Sequence, residues 1–267
     1  MSQDLTPEIR DGHQVRMAFL EHLRELRDRG LRAFIAIMIG TIIGFFFSAQ
    51  ALEFLQGPFC EIAGEINEVT GELDGCSFQT LNPTDNIIIF FRVALLIGGI
   101  LSIPLVTYQV MAFIIPGLTK KEKRIVFMSI PAITILFLVG VWFSWVILIP
   151  PALTFLNGFL PDLFNPEWTA DGYLSFTTSL IFWMGVAFET PLVFFVLSVV
   201  GVVTPQTLMK NWRLAVVGAS IAAAMITPTI DPVNMFLVMG PLLALYGMSI
   251  LLTFVGVRIN RGEANRG

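Results

Sequence analysis

Lysine and arginine are missing from two long stretches of this chain, Ser48 to Asn86 and Ile149 to Gly172, although those stretches carry ten acids between them. Charge is scarce throughout. Asp, Glu, Lys and Arg make up 13% of the residues against 55% hydrophobic, and the mean hydropathy is +0.77. So little charge cannot cover the apolar surface in water, which excludes an ordinary soluble domain and leaves lipid as the solvent. Two histidines and two cysteines, on opposite sides of the segments described below, are too few for a metal site, and no basic stripe offers a nucleic-acid footprint. No nucleophile stands at motif spacing from a base, and neither a phosphate-cradling glycine loop nor a dinucleotide fingerprint occurs. Neither enzyme chemistry nor a cofactor is expected.

What is present is a series of six apolar segments: Leu31 to about Ala51, Ile87 to Ile115, Ile125 to Ile149, Leu174 to Val203, Leu214 to Ile226 and Val233 to Val257. Fifteen of the sixteen Lys and Arg residues fall on one side of them, and Arg92 is the exception. The positive-inside bias makes that side cytoplasmic, with both termini on it. The polar stretch Met1 to Arg32 has no short apolar core with a small-residue cleavage site, so the first segment is expected to be retained as a helix. The fold class is therefore an all-α membrane protein of six transmembrane helices, one polytopic domain over residues 1–267. Residues 48–86 and 149–172 are its first and second periplasmic loops.

Leu214 to Ile226 rises only about 20 Å at ~1.5 Å per residue, short of a hydrocarbon core of ~30 Å. The fifth helix is expected to be short, and the sixth also; the proline-bearing turn Thr227 to Pro232 joins them as a tight hairpin. Pro104, Pro191 and Pro241 lie inside segments, where each frees a backbone carbonyl and invites a bend.

The charged and reactive residues in unusual places are few. Cys60 and Cys76 lie in the first outer loop with fifteen residues between them. Paired in an oxidising compartment they close a loop worth ~3 kcal/mol, and the alternative is two free thiols. From Phe19 the chain places Phe19, Leu23 and Leu26 on one helical face and Glu21, Glu25 and Arg29 at steps of four, which predicts an amphipathic N-terminal segment over 1–30, lying on the membrane surface. Its charges either pair with one another in solvent or serve a partner. Glu122 is the lone acid among Lys120, Lys121, Lys123 and Arg124. It either completes a capping box with Thr119 or accepts an arriving guanidinium. Glu189 sits inside the fourth segment, where an ionised, lipid-facing carboxyl costs several kcal/mol. It is either a neutral acid bonded to the carbonyl that Pro191 frees or a functional group facing a polar cavity. Arg92 either snorkels outward or pairs with Asp85, a structural role in both cases.

Three runs then carry a resemblance: His22-Leu23-Arg24-Glu25-Leu26-Arg27-Asp28-Arg29; Tyr108 to Leu118 with Glu122-Lys123-Arg124; and Gly185-Val186-Ala187-Phe188-Glu189-Thr190-Pro191. They resemble the signatures of the TatC family, the multispanning receptor subunit of the twin-arginine protein translocase. The likeness runs in order over nearly the whole chain. It implies a curved, glove-like bundle that binds twin-arginine signal peptides of folded precursors at the cytoplasmic face of the bacterial inner membrane and nucleates assembly of the translocase, driven by the proton-motive force. It implies Glu25 and Glu122 as the signal-peptide site, with Arg27 balancing the acidic patch. Glu189 is implied as the docking point for the single-span partners TatA and TatB, and Pro58, Pro104, Phe113 and Asp231 as structural positions. Membrane lipids and further copies of the chain complete the implied partners. A secondary transporter would share the spans and the buried acid but would show internal repeats, and none is found here. A purely structural scaffold would need no acidic site on the cytoplasmic face.

Overall fold

The computed structural model describes residues 7–63, 65–66, 73–74, 79–114, 120–159, 168–227 and 231–264; for 7–22, 61–63, 65–66, 73–74, 114, 120–122, 125–126 and 260–264 it describes the backbone alone. In lipid every backbone donor and acceptor must be satisfied within the chain, and helices do this segment by segment. The described chain is accordingly almost all helix: α1 (Pro7–Ala63), α2 (Asp85–Ile114), α3 (Lys120–Phe143), α4 (Ile149–Asn157), α5 (Ala170–Phe188), α6 (Thr190–Val199), α7 (Pro205–Lys210), α8 (Trp212–Ile226) and α9 (Pro232–Ala264). Two short strands, β1 (Glu65–Ile66) and β2 (Leu73–Asp74), pair antiparallel after α1, with Glu65 opposite Asp74.

Five helical stretches are long and apolar enough to cross a membrane: Leu23–Cys60, Asp85–Phe113, Phe127–Asn157, Ala170–Val199 and Pro232–Ile259. The fifth expected segment is α8, whose 15 residues rise about 22 Å and fall short of a full span. The sixth is not short. α9 runs for 33 residues, because its apolar sequence continues to Val257 and Pro241 does not stop it.

The N-terminal segment feeds the first span without a break. It is continuous with the first span in α1, 57 residues long and free of proline between Pro7 and Pro58. Of the expected first and second outer loops, residues 48–63 are helical in α1 and 149–157 are helical in α4. Loss of hydropathy marks where a helix leaves the apolar layer, not where its hydrogen bonds end.

α1 packs mainly on α2, and the crossing is close because glycines face each other. A Cβ on Gly40 would stand 2.6 Å from the Gly98 carbonyl oxygen, inside any real contact distance. Hydroxyls along α1 fold back onto their own helix, Thr41 Oγ1 donating to Ile37 O and Ser48 Oγ to Gly44 O, both at 2.8 Å. The third segment is interrupted by a wide π-helical turn, Ser144–Leu148, just before Pro150 and Pro151 in the first turn of α4, where a missing N–H costs little. α6 stops at Gly201, which takes φ 82°, while Val202 N donates to Leu197 O at 3.0 Å.

The best-packed part of the core lies where α1 ends and α5 begins. Tyr173 is fully buried there, its hydroxyl donating to Leu55 O at 2.7 Å and its ring packed on Phe59 and Trp168. Trp168 Nε1 reaches Asn157 Oδ1 at 3.2 Å, and Ala170 N donates to Gln79 O at 2.9 Å. The ends of α1, α4 and α5 are thereby tied into one cap.

Candidate functional site

The break in the fourth segment sets the geometry. α5 closes at Phe188 and α6 opens at Thr190, so Glu189 occupies the joint, at φ −71° and ψ −21°. Pro191 is in the first turn of α6, where its missing donor is tolerated. Its ring leaves Ala187 O without the usual i+4 partner. The Glu189 side chain does not take up that carbonyl, and its Oε1 is buried with no hydrogen-bond partner. Instead the acid lines a groove of about 280 Å³ between α1, α2, α3 and α5–α6. Ser102 and Thr107 of α2 share the lining with Met111, Ile133 and Phe182. Ser102 Oγ is spent on Gly99 O at 3.0 Å, so the groove presents one unpartnered carboxyl oxygen in an otherwise apolar wall. Such an oxygen favours any arriving donor that brings its own hydrogen.

On α1, Arg29 approaches Glu25 with two nitrogens, Nε at 2.9 Å and Nη2 at 2.7 Å, both donating to Oε1. Both side chains are part-buried, at 23% and 30% exposure. Oε2 of Glu25 makes no hydrogen bond among the described residues. Arg27 is turned elsewhere. Its guanidinium holds Asp28 Oδ1 at 2.8 Å, and it is well exposed, so the structure does not bring it to Glu25. Glu122 falls in the first turn of α3 but its side chain, like the proposed cap Thr119, lies outside the described residues.

Of the remaining sequence-derived positions, Pro58 is inside α1, Pro104 is inside α2, and Phe113 is half-buried near the end of α2. Asp231 caps α9, accepting from Asn234 N at 2.7 Å and from Asn234 Nδ2 at 3.0 Å. Cys60 is disulfide-bonded, and Cys76 lies outside the described residues. Arg92 pairs with Asp171 of α5 at 2.7 Å rather than with Asp85, because Asp85 is turned back onto Asn82 at the start of α2. Sequence reasoning missed Asp171, and no local spacing signals a pair 79 positions apart. It also missed Gln109 and Asn234, each of which buries an unpartnered carbonyl oxygen.

Comparison with known proteins places this arrangement. Residues 21–241 match the family model for TatC, Sec-independent protein translocase protein. The TatC of Aquifex aeolicus is 35% identical over 244 residues, 91% of this chain and 97% of that protein; that of Synechocystis is 31% identical over 243 residues, 91% and 89%. The chloroplastic protein of rice is also 31% identical, and this chain spans 64% of its length. A crystal structure of the twin-arginine translocase receptor TatC superposes with a TM-score of 0.76 at 34% identity, covering 88% of this chain and 99% of the other. With the split fourth segment, the shortened fifth helix and these matches in hand, the chain belongs to the TatC family of Sec-independent protein translocase proteins.

Proposed function

We propose that this protein is the receptor subunit of a twin-arginine translocase in a bacterial inner membrane, with both termini cytoplasmic, acting by binding and not by catalysis. Glu25 and Glu122 receive the two arginines of a signal peptide on a folded precursor, Arg27 balances their charge, and Glu189 docks the single-span partners TatA and TatB. Assembly of further copies and partners follows from that docking.

The observation that carries the reading is the Glu25 carboxylate. It already holds a guanidinium through one oxygen and keeps the other open. A planar fork with several donors fits such a carboxylate in a way that an ammonium does not. The resident partner Arg29 is an i,i+4 neighbour, and helix pairs at that spacing contribute only about 0.3–0.5 kcal/mol. A peptide arginine therefore displaces Arg29, or shares the carboxylate with it, at little cost. Arg29 acts as a placeholder on that carboxylate in the absence of cargo.

Charge reversal tests the partner carboxylate. Glu122→Lys should abolish export of a twin-arginine precursor while the protein still inserts, as read by membrane fractionation beside an export assay. Normal export by an inserted Glu122→Lys protein removes the proposal.

A further inference from the structure

The Arg92–Asp171 pair is only half used within the protein. Arg92 Nη1 donates to Asp171 Oδ1 at 2.7 Å and lies 3.5 Å from Asp171 O. The guanidinium's Nε and Nη2, and the second oxygen of Asp171, have no hydrogen-bond partner among the described residues. Both side chains remain open, at 30% and 47% exposure. The pair thus offers a cation edge and an anion edge side by side.

The pair sits close to the ends of two membrane-length helices. Arg92 lies seven positions beyond Asp85, the first residue of α2, or about 10 Å along the helix axis, and it reaches back to Asp171 in the first turn of α5. That is a snorkelling geometry, which carries the charge to the level of the helix ends while the stem stays in the apolar layer. Below the guanidinium runs a groove of about 320 Å³ walled by Leu95, Phe182 and Trp183, with the Ser179 hydroxyl, also without a partner among the described residues, on one side. The volume, at the lower end of small-ligand sites, leaves room for a headgroup. Phe182 and Gly99 belong both to this groove and to the one that holds Glu189, so an acyl chain entering here points toward that acid.

Charge selects the occupant. A purely anionic headgroup gains on Arg92 and is repelled by Asp171, whereas a headgroup carrying phosphate and ammonium together gains on both. We propose that this groove seats a zwitterionic phospholipid with a primary amine, its phosphate on the free edge of Arg92 and its ammonium on the free oxygen of Asp171. The site goes beyond signal-peptide and partner binding and does not depend on either. Phosphate lies next to the glycerol in such a lipid and ammonium outermost, which matches Arg92 nearer the groove and Asp171 at the helix start. Only a primary ammonium can donate hydrogen bonds to that carboxylate; a quaternary one cannot.

Lipid retention by the purified full chain, measured by native mass spectrometry after exposure to phosphatidylethanolamine, phosphatidylglycerol or phosphatidylcholine micelles, tests this. Phosphatidylethanolamine should be retained about fivefold over either other lipid, in keeping with two partly exposed ion contacts. Arg92→Gln and Asp171→Asn should each remove that preference. The double exchange Arg92→Asp with Asp171→Arg keeps an internal ion pair, so thermal stability should be preserved while the preference is lost. Retention of phosphatidylglycerol or phosphatidylcholine equal to phosphatidylethanolamine overturns the proposal, and so does a preference that survives the double exchange.

Discussion

The Tyr173 hydroxyl bonds to the Leu55 carbonyl across 118 positions of sequence, and it is the contact that fixes the end of α1 to the start of α5. Tyr173 is fully buried and its ring packs on Phe59 and Trp168, so a phenylalanine in its place keeps the ring contacts and loses the hydrogen bonding of the hydroxyl. Tyr173→Phe should cost about 0.5–1.5 kcal/mol in a reversible unfolding titration in mixed micelles. A neutral result would mean that ring packing, with the Trp168–Asn157 and Ala170–Gln79 bonds, holds the cap without the tyrosine hydroxyl.

Two glycines of α1 should respond oppositely to the same change. Gly40→Ala puts a methyl group 2.6 Å from the Gly98 carbonyl oxygen and should force α1 from α2, costing about 1–3 kcal/mol. Gly30 has no neighbour within 4 Å of a built Cβ, and it lies inside a helix, so Gly30→Ala should be neutral or stabilising by up to about 1 kcal/mol. Thermal unfolding of the two variants in one detergent checks both. Equal behaviour would show that the α1–α2 approach is looser than its geometry.

Cys60 is disulfide-bonded, and Cys76 is the only other cysteine in the chain. Closing a loop with fifteen residues between the thiols contributes about 3 kcal/mol in the chain-entropy model. Cys60→Ser should lower stability by that order and abolish the mobility difference between reduced and non-reduced samples on a gel. Signal-peptide binding should be retained, because the bridge lies at the end of α1 remote from Glu25. Loss of binding together with the bridge would contradict that separation.

Glu189→Ala removes the unpartnered oxygen from the groove at the α5–α6 joint. Crosslinking to the single-span partners should weaken while signal-peptide binding stays largely intact. Glu189→Gln, which keeps an acceptor and adds a donor, should fall between. Equal loss of partner and peptide binding in the alanine variant would show that the two roles are not divided between Glu189 and Glu25.

How much of this was legible in the sequence varied with the range of the physics. The spans follow from hydropathy, the short α8 from its length, and the break at Glu189 from Pro191, all local properties of the chain. That the N-terminal segment feeds the first span was legible, but not that the join is unbroken helix: the amphipathic face of Phe19, Leu23 and Leu26 does not say whether a turn follows it, and a helix needs only unbroken hydrogen bonds to run from water into lipid. The length of α9 was misjudged by analogy with its hairpin partner. Arg92 with Asp171, and Tyr173 with Leu55, join residues brought together only by the tertiary fold. The pairing of Glu25 with Arg29 lies between these cases: i,i+4 spacing allowed it, but only the structure selects it over Arg27, which turns to Asp28 instead.

The central claim is that carboxylates on α1 and in the first turn of α3, Glu25 and Glu122, receive paired guanidinium groups. The most direct measurement is photocrosslinking from positions adjacent to Glu25 and to Glu122, with both acids kept, to a twin-arginine signal peptide and to the same peptide with both arginines replaced by lysines. The account predicts capture of the arginine peptide from both positions at roughly tenfold lower concentration, the loss of about one charge-assisted hydrogen bond on substitution. Equal capture of the lysine peptide would contradict it.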